Sequence, residues 1–377
     1  MHKQLYLFIL LAGMALFSML ACRILIPSSS EITQIIPNPS VVSHPSSVTP
    51  PLHTEIWQPS PSITTPSENG NAPTAAHTPS PTPQMENLSL LQNCSENSDK
   101  IVFSFDPRDT AGVRYGIYMK DQDGGNRIRL SEETERTDTM PAWSPNRCWI
   151  AFVRFNKGGE DDIFIMSADG KSIRQLTNDP GRDTFPDWSP DGTKISFISN
   201  RFGSRNLFVM DANGENVQQL TFDHQLPREK EGYVQWQQWS PDGTEIAFTY
   251  NAGNNQGTEI YLIRPDGSGL RKLVSRGHEP AWSPDGNKLF FLSNQTGKVE
   301  IWSINRDGSG LSQISNISSQ VFIEHSLRAS PDGTLLAFSG VGPEVTEYST
   351  EIYVFNLNDL SLRNISFTKG NEAWLDW

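Results

Sequence analysis

The chain has 377 residues, with 43 Asp and Glu against 30 Lys and Arg, for a formal net charge of −13. No Lys/Arg cluster interrupts that imbalance, so phosphate backbones and anionic bilayers are repelled and nucleic acid is excluded as an expected partner. Three cysteines are too few for a disulfide framework, and no closely spaced Cys/His pairs offer a zinc site.

Residues 5–21 form an uncharged apolar run behind Lys3, the plan of a signal sequence. The run ends in Met19-Leu20-Ala21-Cys22, which resembles a bacterial lipobox and implies a lipid on Cys22. At 17 residues it is also just long enough to remain as a membrane anchor. Lipidation, anchoring and free secretion all put the body of the protein outside the cytoplasm, and residues 1–22 are assigned to this leader. From 27 to 83, 32 of 57 residues are Pro, Ser or Thr, and no Lys or Arg occurs between Arg23 and Lys100. Such a stretch cannot bury enough apolar surface to fold, so 23–94 is expected to be a disordered linker with a span on the order of 50 Å.

The remainder, 95–377, is a repeat. Trp-Ser-Pro-Asp-Gly occurs at 188–192, 239–243 and 282–286, with variants at 143–147 and 329–333. The aligned positions 143, 188, 239, 282, 329 and 377 are 43 to 51 residues apart, the length of a four-stranded propeller blade. An apolar strand follows each of these turns, as in Ile195-Ser196-Phe197 or Ile246-Ala247-Phe248. A second apolar strand comes next, as in Leu207-Phe208-Val209-Met210, and meets a hairpin signal such as Asn213-Gly214 or Asp266-Gly267. In the Ser-Pro-Asp-Gly turn Pro sets φ, Asp fits the third position and Gly takes the left-handed exit, so its Ser and Asp are read as structural.

The first repeat lacks its Trp-Ser-Pro element and starts at Ile101-Val102-Phe103-Ser104, while Glu372–Trp377 carries the missing inner strand. The expectation is an all-β, six-bladed propeller whose C-terminal strand closes the first blade. These repeated residues resemble the TolB-type β-propeller family, a relative of WD-type propellers. The resemblance covers about 99–377 and implies an extracytoplasmic propeller. The α/β domain that precedes the propeller in the family's namesake is replaced here by the Pro/Ser/Thr linker, so the namesake's envelope role is not carried over. Some propellers of similar repeat type precede peptidase domains, but no Gly-x-Ser-x-Gly elbow occurs here.

Loops leading into the inner strands surround one mouth of a propeller's channel. Counting back four or five residues from each aligned position brings Asp138, Asp183, His278, Glu324, His325 and Glu372 to that mouth, with Glu279 beside His278. Imidazole and carboxylate together suit a divalent metal, and whether one binds is left open; an acidic, solvated rim is the default. Trp236 and Trp374, three residues before aligned positions, offer faces for a sugar ring or a peptide anchor, or else pack between blades. The 222–235 and 340–350 connections are the longest insertions. Cys94 and Cys148 are placed at the same end of neighbouring blades, and the sequence leaves their pairing open. The functional expectation is a monomeric, membrane-tethered scaffold at the bacterial surface or in the periplasm. It binds an envelope protein or glycan without catalysis or cofactor, and it touches the membrane only through the N-terminal lipid or anchor. The alternative is a metal-assisted polysaccharide lyase or hydrolase using the mouth His and carboxylates.

Overall fold

The computed structural model describes residues 94–107, 115–132, 136–156, 158–226, 232–253, 257–343, 349–366 and 370–377. The leader, Cys22 and the Pro/Ser/Thr-rich segment up to residue 93 lie outside the described residues, as do 227–231 and 344–348 within the two long insertions.

Among the described residues, the strands form six four-stranded antiparallel sheets. In five of them the chain starts at the axis and works outward, the inner strands being Thr137–Trp143, Asp183–Trp188, Tyr233–Trp239, His278–Trp282 and Phe322–Ala329. The remaining sheet is assembled from both ends of the propeller. Asn371–Asp376 lies innermost and pairs with Lys100–Asp106, which is followed outward by Gly116–Asp121 and Ile128–Arg129. We call this sheet blade 1 and number the others 2 to 6 in chain order. Each inner strand touches the inner strands of both neighbours, so the circuit is closed.

The turns behave as their chemistry requires. The amide of Gly192 donates to the Ser189 carbonyl at 2.8 Å, Gly192 has φ 70°, and Ser189 Oγ donates to Asp191 Oδ1 at 2.6 Å. The same arrangement recurs at 240–243, 283–286 and 330–333. These Ser and Asp side chains therefore hold the turn together. Antiparallel order puts the Ser-Pro-Asp-Gly and Asp-Gly turns on one face of the disc. The connections into the inner strands open on the other, the mouth face.

There is no single central core. Six apolar clusters lie one per blade interface, and the repeated Trp is the wedge in most of them. Trp188 is buried among Ile163, Ile165 and Phe197 across the junction of blades 2 and 3, and Trp377 sits beside Ala337, Ile352 and Val354 across the junction of blades 6 and 1. Ala329 replaces the wedge at the junction of blades 5 and 6, where Leu327, Phe338 and Phe355 fill the cluster. Each interface is a stack of large side chains that leaves water together, worth about 1.5–3 kcal/mol per fully buried residue.

Cys94 and Cys148 form a disulfide with their Cα atoms 5.2 Å apart, across a sequence separation of 54. Cys148 follows the variant turn of blade 2, where Arg147 takes the left-handed position of glycine at φ 59°. The Cys94 amide also donates to the Asn146 carbonyl at 3.0 Å, and Asn97 Nδ2 to the Arg147 carbonyl at 3.1 Å. The chain is thus clipped to the turn face of blade 2 before blade 1 begins.

Two outcomes follow from closure and clip. Deleting 371–377 removes the inner strand of blade 1 and the Trp377 wedge, and thermal melting should show loss of the cooperative transition or a fall of well over 10 °C. A truncated protein that melts with the parent would refute closure by this strand. Cys148→Ser should cost about 4 kcal/mol by the loop-entropy relation for 54 residues, read as a denaturant midpoint shift that reductant reproduces in the parent.

Candidate functional site

All six inner strands bulge at the same place. The third residue before each aligned position is left-handed although none is glycine: Met140 (φ 53°), Phe185 (55°), Trp236 (46°), Glu279 (51°), Ser326 (69°) and Trp374 (45°). The pairing register of each inner strand shifts at that point. Such a conformation costs about 1–2 kcal/mol per residue and persists only where the surroundings over-determine it. Here its effect is to turn side chains onto the axis. Met140, Phe185, Trp236, Ser326 and Trp374 line a cavity of about 30 Å³ there, room for about one water. Large side chains narrow the axis at this level.

Below this layer, the residue just before the aligned position reaches into the next blade in four of the six blades, Ala142 and Ala281 being too short to do so. Asp187 Oδ2 accepts the Trp239 amide at 2.9 Å, Gln238 Oε1 accepts the Trp282 amide at 2.7 Å, and Asp376 Oδ2 accepts the Trp143 amide at 2.8 Å. Arg328 Nε donates to Asp376 Oδ1 at 3.1 Å. Burial pushes the Asp187 carboxyl up to about 7 despite the nearby Arg328 cation. Glu279 makes the equivalent reach one layer higher, its Oε2 accepting the Ser326 amide while Oε1 is without a partner. Its carboxyl is pushed up to about 8, chiefly by burial.

The groups counted to the mouth from the sequence are brought to the inner strands, but few stand open to solvent. Asp138 is buried and held by Arg154 through two hydrogen bonds of 2.7 and 2.8 Å, with the guanidinium also over the rings of Phe152 and Phe164. Asp183 is buried against Arg201 Nη2 at 2.9 Å, and desolvation raises its pKa. Glu372 is buried against Lys120 Nζ at 2.5 Å and accepts from Ser366 Oγ. Each acid has thus been neutralised by a cation of its own blade. Glu324 is exposed and accepts from Thr350 Oγ1 at 2.8 Å.

The two histidines face aromatic rings. His278 lies against Trp236, with centroids 6.1 Å apart, and Trp236 meets Phe185 edge-on at 6.1 Å. His325 meets Trp374 at 5.2 Å, and Trp374 meets Tyr115 at 5.4 Å. Burial lowers both imidazole pKa values, that of His278 to about 4, so both rings are neutral at physiological pH. His224, in the 222–235 connection, stacks on Phe222 at 5.8 Å. Among the described residues, no three His, Cys, Asp or Glu side chains are grouped as a metal would require. The mouth is therefore built from two aromatic arcs, Phe185–Trp236–His278 and His325–Trp374–Tyr115. Phe185, Tyr115 and Arg328 were not singled out from the sequence; the signal for Phe185 and Arg328 is alignment of columns, since each occupies the same place in its blade as a residue that lines or staples the axis in another.

The fold and this site define a six-bladed β-propeller with a narrow axis and an aromatic mouth. Residues 141–231 and 226–374 match the TolB beta propeller domain, and the chain belongs to that family. A protein TolB homolog of Chlorobium luteolum is 32% identical over 157 residues, covering 41% of this chain and 33% of that protein. Among solved structures, TolB from Acinetobacter baumannii superposes with a TM-score of 0.61 at 18% identity, covering 74% of this chain and 66% of that one. An oligogalacturonate lyase in complex with manganese superposes with a TM-score of 0.50 at 18% identity, covering 73% of this chain and 76% of that one. The chain spans 33%, 40% and 22% of the lengths of the first curated relatives it matches.

Glu279 gives the site a pH signature. Its folded pKa, about 8, lies above the ordinary carboxylate value of 4.5, so the folded state holds the proton more tightly than the unfolded chain. Its burial is harmless below about pH 4.5 and becomes increasingly destabilising as pH rises toward 8. Glu279→Gln keeps the acceptor for Ser326 and cannot ionise. Its melting temperature should match the parent's at pH 4 and exceed it at pH 8, by roughly 2–4 °C per kcal/mol recovered. Equal melting of the two proteins across that range would show Glu279 to be ordinarily ionised.

Proposed function

We propose that the protein is an extracytoplasmic, non-catalytic binding scaffold, tethered through Cys22 or residues 5–21, whose mouth face receives an envelope protein. The observation that carries this reading is the chemistry of the mouth. Asp138, Asp183 and Glu372 are committed to Arg154, Arg201 and Lys120, leaving the two aromatic arcs as the principal groups on offer. Half-buried aromatic side chains on a rigid frame are the usual anchors of protein recognition, because they contribute large contact area at little entropic cost. Membership in the TolB propeller family is in keeping with an envelope partner. The Cys94–Cys148 disulfide suits an oxidising compartment outside the cytoplasm. All six blade interfaces are satisfied within one chain, which favours a monomer.

A glycan is the second reading, favoured by the half-buried Trp236 and Trp374 rings at the mouth. The lyase alternative draws on shared fold with the manganese-bound lyase alone, and three of the mouth carboxylates it would use, Asp138, Asp183 and Glu372, are tied up in ion pairs.

The test is capture from envelope extract by the full protein, with Trp236→Ala and Phe185→Ala as variants and His278→Ala/His325→Ala read in parallel by melting with added manganese. The aromatic variants should lose at least about tenfold in captured partner while melting near the parent. A manganese-induced rise in melting temperature that the double histidine variant abolishes would instead support the lyase reading.

A further inference from the structure

A cavity lies on the turn face, opposite the mouth. It is a groove of about 460 Å³ between blades 4 and 5, lined by Thr244, Glu245, Arg264, Arg271, Arg306 and Asp307. Three guanidiniums converging on one groove stand out in a chain with net charge −13.

Comparison among blades shows how the groove arises. Where the second and third strands meet the turn face, blades 1 and 3 close the edge with an ion pair, Lys100–Asp121 and Lys194–Asp211. In blade 4 the register puts Glu245 and Arg264 at the equivalent places, one step beyond Ile246 and Ile263, so the two charges are exchanged. The exchanged pair does not close. Glu245 is drawn toward blade 5, accepting from Arg306 Nε at 2.7 Å and from Arg271 Nη2 at 3.1 and 3.3 Å. Arg306 is further fixed by Asp242 at 2.7 Å and by Thr244 Oγ1 at 2.6 Å, with its guanidinium over Trp282. Arg271 also donates to the Arg306 carbonyl at 3.1 Å, a clasp that Arg174 repeats at 3.0 Å on the Asn213 carbonyl between blades 2 and 3. Those contacts hold the blades together. Arg264 is what the exchange leaves over: exposed, lining the groove, near enough to Asp266 to help lower its pKa, and making no side-chain hydrogen bond or ion pair among the described residues.

We propose that this groove binds a carboxylate side chain of an acidic peptide segment, with Arg264 as its primary donor and Arg271 as the second. A planar guanidinium fork matches a carboxylate in bidentate fashion, and the groove already displays that chemistry where Arg271 and Arg306 share Glu245. A peptide is favoured over an acidic sugar because no aromatic face lines the groove, the Trp282 ring lying beneath Arg306. Asp307 and Asp266 spend one oxygen each on the turn amides of Ser309 and Ser268, so their charges moderate the site without filling it. The interaction is accordingly modest and screened by salt.

The experiment is fluorescence anisotropy of labelled hexaglutamate with the full protein at low ionic strength. Binding should weaken as salt is added, fall about tenfold or more in Arg264→Glu, survive within a few-fold in Arg264→Lys, and be unchanged in Lys171→Glu, an exposed site on the turn face of blade 2. Absence of binding, or equal binding by Arg264→Glu and the parent, would overturn the proposal. So would tighter competition by a galacturonate oligomer than by unlabelled hexaglutamate, which would make the groove a sugar site. Because Arg264 is exposed and unpaired among the described residues, its variants test the groove without disturbing the fold.

Discussion

The structure depends on one non-covalent junction, the pairing of Asn371–Asp376 with Lys100–Asp106. A propeller blade buries both of its faces against neighbours, so an incomplete blade exposes two apolar surfaces at once. The junction is fastened on three levels. Backbone pairing joins the strands, Trp377 wedges blade 1 against blade 6, and Asp376 ties forward to the Trp143 amide of blade 2 and back to Arg328 of blade 6. The Cys94–Cys148 clip then joins the other end of the propeller to blade 2. Blade 1 is therefore held by both neighbours before its own sheet is counted.

The same closure shapes the axis. Six inner strands converging on one line leave little room for side chains, and the left-handed bulge in each strand brings five of the six bulge residues, four of them large, to line one small cavity on the axis. Polar groups drawn into this region must be satisfied or neutral. Asp187, Gln238 and Asp376 are satisfied by the amides of the next blade, and Glu279 is kept protonated by burial. The acids nearer the mouth are satisfied by cations, at a desolvation cost that good geometry offsets. An overall acidic chain thus presents a mouth that is aromatic in character, and charge and chemistry part company there.

Repetition made the fold legible in the sequence. Six copies of one strand-and-turn pattern carry blade number, strand order and the displaced inner strand at 371–376. The turn role of Ser-Pro-Asp-Gly was equally plain, because its mechanism is local. The site was legible only as columns. Counting back from the aligned position found the inner-strand residues, yet it could not show that a bulge at the third residue reverses the alternation of side chains on either side of it. Nor could it supply the cations. Arg154 comes from a second strand, Arg201 from the connection after one and Lys120 from a third strand, and no spacing rule links them to Asp138, Asp183 and Glu372. The cysteines were correctly placed at one end of neighbouring blades, whereas their pairing needed the path of the chain around Cys94.

In a repeat protein the informative residues are those that break the repeat. Asn146-Arg147-Cys148 breaks it to create the clip, and the clip fixes the face on which the chain joins the propeller: the turn face, at blade 2. Glu245 and Arg264 break it by exchanging charges, which opens a groove on that same face two blades further round. Phe185, Trp236 and Trp374 break it by placing large rings where Ser326 shows a small residue suffices. The turn face thus carries both the disulfide clip and the arginine groove, and the aromatic mouth lies on the opposite face. The two faces then offer different chemistry: guanidiniums suited to an acidic segment on one, and rings suited to an apolar anchor on the other.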